Sequence, residues 1–248
     1  MSLFNRKKEK WERKIDLIVY QYPRSPLAEA FRTLRTNLGF ASVDGECQAI
    51  MISSPSPQDG KSTVISNLAI VLAQAGKKVI LVDCDLRNPV QHRVFNLSNL
   101  KGLTNCLLNQ TSLDEVVQQG PLDNLTVLTC GPIPPNPAEI LGAARTKAFW
   151  DLLREEYDYI LIDAPPVLAV TDATILASQV DGVILVLKTG STRNNIAAQA
   201  CDQFERAGAR LLGVVLNQVK IDSPDYQYAY YHYYYGQNDA MKAKPQSV

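Results

Sequence analysis

Lys61, Asp83, Asp85 and Asp163 are the side chains of this sequence whose types and spacing suit work on a phosphate group. Lys61 stands in Gly60-Lys61-Ser62-Thr63, between a loop containing serine and proline and an apolar-periodic stretch that closes at Gly76. Upstream, Ile50, Met51 and Ile52 read as a strand. Strand, loop and helix in that order build an anion site. Backbone N–H groups at a helix N-terminus face the phosphates, a lysine adds a point charge, and the next hydroxyl can bind Mg²⁺. The expected nucleotide-binding residues are therefore Gln58, Asp59, Gly60, Lys61, Ser62 and Thr63. The loop is a variant, because Pro55 stands where the full pattern has a glycine. Asp83 and Asp85 close the run KVILVDCD over residues 78–85, and as strand residues two apart they would share one face. Two acids beside a phosphate need a cation between them. Asp163 closes DYILID and is followed by Pro165 and Pro166, which stop the strand; its carboxylate suits ordering the water ligands of Mg²⁺. Polar residues at strand ends are common, but three acids and a lysine all arriving there argue for a site.

The elements that must position these residues alternate along the chain. Helices are expected over residues 27–40, 113–119, 145–156, 172–178 and 193–207, and strands over 78–85, 125–129, 158–163, 182–187 and 211–217. Residues 131–137 read as a structural, proline-rich loop leading into a helix with Asn136 as N-cap. This βα alternation predicts an α/β fold, a mostly parallel sheet with helices on both faces, of the P-loop NTPase kind. The expected division is a basic N-terminal tail (1–25), a catalytic domain (26–220) and a tyrosine-rich tail (221–248). In 248 residues, 46% hydrophobic and 20% charged with zero net charge, nothing in the global balance points to nucleic acid. Five scattered cysteines and two histidines give no zinc or disulfide framework. The first residues lack a signal-peptide pattern, so a cytoplasmic protein is expected unless a partner holds it at a membrane.

Two further patterns flank the core. Glu29, Arg32 and Arg35 fall three apart on a predicted helix, where they form either an intrahelical ion pair or a contact between subunits. Near the other end, Tyr226, Tyr228, Tyr230, Tyr231, Tyr233, Tyr234 and Tyr235 place seven of the eleven tyrosines within ten residues, after the last element able to bury them. No lysine or arginine lies among them to track phosphates, which disfavours a nucleic-acid platform.

Taken together, VDCDLR, ILIDAPP and the tyrosine cluster resemble the bacterial tyrosine kinases of capsule and exopolysaccharide production, in their stand-alone cytoplasmic form. These share a P-loop core with partition and cell-division ATPases. The resemblance implies a Walker A motif over residues 54–63, with Lys61 on the β and γ phosphates of ATP and Ser62 on Mg²⁺. It implies a second Walker motif over residues 82–87, with Asp83 and Asp85 at the metal and the incoming tyrosine hydroxyl, and a Walker B motif ending at Asp163. The metal set is then Ser62, Asp83 and Asp163. Glu29, Arg32 and Arg35 match an oligomerisation motif that closes a ring, up to an octamer, and Asn217 is placed to read the adenine. The implied partners are other copies of the chain, the cytoplasmic tail of a membrane adaptor that recruits the kinase to the inner face of the membrane, and a phosphotyrosine phosphatase. A tyrosine hydroxyl, with a pKa of about 10, benefits from a carboxylate that accepts its proton, and Asp83 is the favoured base, with Asp85 the other candidate. A partition-type ATPase switch without protein phosphorylation is the alternative, although its usual second lysine is replaced by Ser56.

Overall fold

The computed structural model describes residues 17–41 and 47–219. Its strands are β1 (Ala49–Ser53), β2 (Val79–Asp83), β3 (Gln118–Gln119), β4 (Leu125–Leu128), β5 (Tyr159–Asp163), β6 (Gly182–Lys188) and β7 (Leu211–Asn217). They form one sheet in the order β3-β4-β2-β5-β1-β6-β7. All neighbours run parallel except β3, which pairs antiparallel with β4 at the edge. The helices are α1 (Ile18–Gln21), α2 (Pro26–Ala41), α3 (Lys61–Gln74), α4 (Gln91–Val94), α5 (Leu103–Leu107), α6 (Pro137–Gly142), α7 (Ala144–Glu156), α8 (Asp172–Ala177) and α9 (Asn194–Arg206).

The inner strands are apolar runs because helices cover both of their faces. Alternate side chains of β1 divide between two cores. Ile50 and Ile52 join Leu161, Ile184 and the apolar residues of α1 to α3, whereas Ala49 and Met51 join Ile160, Ile162 and residues of α5 to α9. α3 is buried on nearly every side. Its outer face is covered by α2, whose Arg35 Nη1 donates to the Val71 carbonyl at 3.1 Å, and by α1, whose Val19 amide donates to Asn67 Oδ1 at 3.0 Å. Gly76, at φ +82°, takes the left-handed conformation that follows a helix C-terminus.

The chain leaves β1 through α3 and reaches β2 beyond the position that β5 fills. The C-terminal ends of β1, β5 and β2 therefore lie side by side, with Ile52 opposite Asp163 and Asp163 opposite Asp83. In an open parallel sheet, the point where strand order reverses leaves a crevice at the strands' carboxyl ends.

Several expectations need correction. Residues 113–119 form no helix but a turn and β3; Gln118 there exchanges hydrogen bonds with the Ser98 backbone, both at 2.9 Å, which favours an extended edge. Asn136 precedes α6 without capping it, since its amide instead donates to Glu139 at 2.5 Å. The expected tail of residues 1–25 is too long, because Leu17 and Val19 are buried against α3. The strand expected over 78–85 stops at Asp83, so Asp85 reaches the site from a turn and not through strand alternation.

Candidate active site

The phosphate loop departs from β1 under tight local control. Ser53 Oγ donates to the Pro165 carbonyl at 2.7 Å, and Ser54 Oγ closes on the Ser56 carbonyl at 2.7 Å. The Asp59 carboxylate accepts the Ser56 amide at 3.1 Å, stitching the loop to itself. Burial raises the pKa of Asp59, while the Ser56 amide and the Lys188 charge oppose the rise. Gln58 sits at φ +68° and Gly60 at φ +96°, so the chain turns left-handed twice before the helix. Gln58 thus adopts a left-handed backbone that glycine takes more readily. Gly60 has a second reason to lack a side chain: a Cβ there would lie 2.0 Å from Asn217 Nδ2. The loop delivers the first turn of α3, whose leading N–H groups have no carbonyl to bond within the helix.

Lys61 opens α3 and is nearly buried, with its ammonium held by three oxygens: Asp85 Oδ2 at 3.0 Å, Asp163 Oδ1 at 3.1 Å and Ser62 Oγ at 3.3 Å. Burial alone would lower the lysine pKa, but Asp163 and Asp85 outweigh it and hold the amine protonated well above its ordinary value. Asp83 is fully buried. Its Oδ1 accepts the Asp85 amide at 3.3 Å, and its Oδ2 accepts the amides of Val90 and Gln91, each at 2.9 Å. These bonds end β2 and fold residues 84–91 into a turn that aims Asp85 at Lys61. Burial, then the neighbouring Asp163 carboxylate, raises the pKa of Asp83, with the Gln91 amide and Lys61 opposing. Asp85 Oδ1 accepts the Asn88 amide at 3.0 Å, leaving Oδ2 on the ammonium. The turn is anchored outward by Arg87, which forks onto the buried Asp172 at 2.9 and 3.0 Å.

The predicted residues Asp59, Gly60, Lys61, Ser62, Asp83, Asp85 and Asp163 thus meet at one end of the sheet, and Thr63 continues the first turn of α3. Asn217 closes on the same loop, its Nδ2 donating to the Asp59 carbonyl at 2.9 Å. Glu29, Arg32 and Arg35 lie elsewhere, on α2: Arg32 pairs with Glu29 at 2.8 Å and also donates to the Pro23 carbonyl, and Arg35 is turned onto α3. The tyrosines between Tyr226 and Tyr235 lie outside the described residues. The sequence reading missed Gln91, Ser66 and Asp172; only their through-space partners mark them.

Among the described residues, no group of three or more His, Cys, Asp or Glu side chains could hold a metal by itself. The donors present are hard oxygens, the Ser62 hydroxyl and the Asp163 carboxylate with the Asp83 carboxylate behind them, next to a lysine and free helix-end amides. This set fits Mg²⁺, which keeps water ligands and shares phosphate oxygens with one or two carboxylates. No helix among the described residues is long and apolar enough to cross a membrane.

Comparison with known proteins places this geometry. An AAA domain family matches residues 48–207. Tyrosine-protein kinase YwqD of Bacillus subtilis (strain 168) is 44% identical over 216 residues, covering 87% of this chain and 91% of that protein. The solved kinase domain of the Escherichia coli tyrosine kinase ETK superposes with a TM-score of 0.81 at 33% identity, covering 88% of this chain and 86% of that one. The cell division ATPase MinD of Pyrococcus furiosus superposes less closely, with a TM-score of 0.60 at 25% identity over 74% of this chain and 78% of that one.

Proposed function

The chain belongs to the family of bacterial tyrosine-protein kinases, and from that premise we propose that it phosphorylates the tyrosines between Tyr226 and Tyr235 of neighbouring copies of itself, with ATP and Mg²⁺. The observation that carries the proposal is Lys61, held between Asp85 and Asp163 at the first turn of α3. When ATP is bound with Mg²⁺, the nucleotide supplies the γ-phosphoryl group. Lys61 and the amides of residues 60–63 neutralise its charge, while Ser62 and Asp163, with Asp83 behind them, are the residues that would hold the metal. The acceptor tyrosine oxygen bonds to phosphorus as the bond to the β–γ bridging oxygen breaks. ADP leaves, and the phenolic proton passes to a carboxylate.

Asp85 suits that last role better than Asp83. Both oxygens of Asp83 already accept turn amides, which tie it to the turn. Asp85 stands on a turn and keeps its Oδ2 on Lys61, beside the phosphate loop. Asn217, against the loop carbonyl of Asp59, remains the candidate for the adenine side, and the neighbouring Gln218 donates to the Gln58 carbonyl.

Transfer between copies needs a ring or a comparable assembly. Glu29, Arg32 and Arg35 on α2 are the proposed contacts, and the exposed Leu27 and Phe40 of the same helix supply apolar area for an interface. Within such an assembly, tethering raises the effective concentration of each tail at the adjacent site. Phosphates on the tail, each about −1.5 to −2 charges, would then repel the acidic site and loosen the ring. The wider role in capsule or exopolysaccharide synthesis, through a membrane adaptor at the inner face of the membrane and an opposing phosphatase, extends the same proposal.

Mass spectrometry of purified protein after incubation with ATP and Mg²⁺ tests the proposal, beside Lys61→Met and a form with the seven tail tyrosines changed to phenylalanine. Tail phosphate that is lost with Lys61→Met is the expected result. ATP hydrolysis without tail phosphate, even with a candidate adaptor tail added, would overturn it.

A further inference from the structure

Gln91 is fully buried, eight residues beyond Asp83, and every polar group it has at the site is engaged. Its backbone amide donates to Asp83 Oδ2 at 2.9 Å. Its side-chain Nε2 donates to Asp163 Oδ2 at 2.7 Å, and its Oε1 accepts from Ser66 Oγ at 2.8 Å. The orientation of the amide is fixed by chemistry: an ionised carboxylate only accepts, so the NH₂ must face Asp163 and the carbonyl must face the hydroxyl. Ser66 in turn lies one helical turn after Ser62 on α3, and its single hydroxyl hydrogen is shared between Gln91 Oε1 and the Ser62 carbonyl, 2.6 Å away. One residue, through its backbone amide and its side chain, therefore ties the ends of β2 and β5 and the first turns of α3 into a single unit.

From this geometry we propose that Gln91 is a positioning residue for the metal-bound nucleotide. It holds one oxygen of Asp163, so that only Oδ1 faces Lys61 and the cation site, and it fixes Asp163 relative to Ser62 through Ser66. A carboxylate free to rotate could offer either oxygen, or chelate Lys61 with both. Held by Gln91, it presents one oxygen in one direction, which suits the strict geometry of Mg²⁺ better than that of larger, more adaptable cations. Outer residues that orient a metal-binding carboxylate commonly matter about 10- to 100-fold in affinity or activity. Phosphate binding by the loop amides and Lys61 does not pass through Gln91.

The inference rests on the nucleotide-dependent kinase reading, and its test separates the two. Fluorescent ADP is titrated against the full chain, in Mg²⁺ and in EDTA, for the wild type, Gln91→Leu, Gln91→Glu and Ser66→Ala. No binding by the wild type would count against the kinase reading itself. With wild-type binding in hand, the expected result is that EDTA affinities of the variants stay within about twofold, while the Mg²⁺-dependent gain falls about tenfold for Gln91→Leu. Gln91→Glu keeps the size but sets a second acceptor against Asp163, and should lose as much. Ser66→Ala, which removes only the hydroxyl that orients the amide, should lose less. Thermal unfolding of each variant is recorded alongside. An unchanged Mg²⁺ gain, or equal losses in Mg²⁺ and EDTA tracking the fall in melting temperature, would reduce Gln91 to a packing role and overturn the proposal.

Discussion

Lys61→Met removes the ammonium that Asp85 and Asp163 share at 3.0 and 3.1 Å, in a position where the lysine side chain is only 11% exposed. At 3 Å and an effective dielectric constant near 20, each pair has a gross attraction of about 5 kcal/mol, most of it offset by the cost of burying the charges. Breaking such a pair by deleting one partner typically costs about 3–5 kcal/mol, because the remaining charge is left buried and unpaired. We expect about 3 kcal/mol at pH 8, or a melting temperature lower by roughly 6–12 °C. The loss should depend on pH in a defined direction. Asp83 already has a raised pKa in the folded state, and Lys61 is one of the groups restraining that rise. Without Lys61 the folded variant binds protons more readily than the wild type, whereas unfolded carboxylates stay ionised above about pH 4. Stability rises as pH falls wherever the folded state holds more protons, by about 1.4 kcal/mol per pH unit for each extra proton. With wild-type Asp83 at about 8, the wild type takes up the same proton as pH falls below that value, so the gap should narrow by up to about 1.4 kcal/mol between pH 9 and pH 7 and hardly change below pH 7. Urea denaturation at pH 7, 8 and 9 without nucleotide measures it. Phosphotransfer should fall by about 100-fold or more at every pH. A gap equal at pH 7 and pH 9, or a variant within tenfold of wild-type transfer, would refute the reasoning.

Gly60→Ala should impair the loop twice over, by straining a backbone at φ +96° and by forcing Asn217 away from a Cβ that would sit 2.0 Å from its Nδ2. The expected cost is about 1–3 kcal/mol in urea denaturation, with weaker ADP binding in both Mg²⁺ and EDTA; Asn217→Ala in the same chain should recover part of the stability. Asp181→Asn probes the opposite end of β1, where Asp181 accepts the Gln48 and Ala49 amides at 2.9 and 2.8 Å and forks with Arg154 at 2.7 Å. Burial would raise the pKa of Asp181, but Arg154 and the two amides outweigh it and hold it below the usual carboxylate value. Its contribution is thus present above about pH 4 and lost as pH falls through the lowered value. The variant should cost about 1–3 kcal/mol at pH 7 and almost nothing near pH 2, by chemical denaturation at both.

The candidate site was legible in the sequence because its signals are local. Gly60-Lys61-Ser62 marks a strand-to-helix junction, and Asp83 and Asp163 end apolar runs, so the chain order alone puts them at the carboxyl edge of a parallel sheet. The features that were not legible depend on groups distant along the chain. Gln91 meets Asp163 across 72 residues, and Arg87 meets Asp172 across 85, with no periodicity to announce either contact. Asp85 was placed at the site for the wrong reason, since a turn held by the Asp83 carboxylate does what strand alternation was expected to do. Residues 113–119 were misread because apolar spacing in so short a segment cannot separate a helix from a turn and an edge strand that pairs through only two residues. Gln58 shows another limit: its positive φ is set by the turn and is not announced by its residue type.

The valence of Lys61 sets the order in which the site can act. An ammonium has three donors, and here all three have protein oxygens within 3.3 Å: Asp85, Asp163 and Ser62. A phosphate that binds Lys61 must displace at least one of them. Asp163 is the oxygen donor least able to leave, because Gln91 also holds it and β5 fixes its backbone. Asp85 stands on a turn and keeps the Asn88 amide on its other oxygen, so it can release the ammonium without losing all of its partners. On the proposed mechanism, nucleotide arriving at Lys61 would free Asp85 Oδ2, the oxygen proposed to accept the tyrosine proton. Base and phosphate would then compete for one cation, and the base would become available only with a phosphoryl group to transfer.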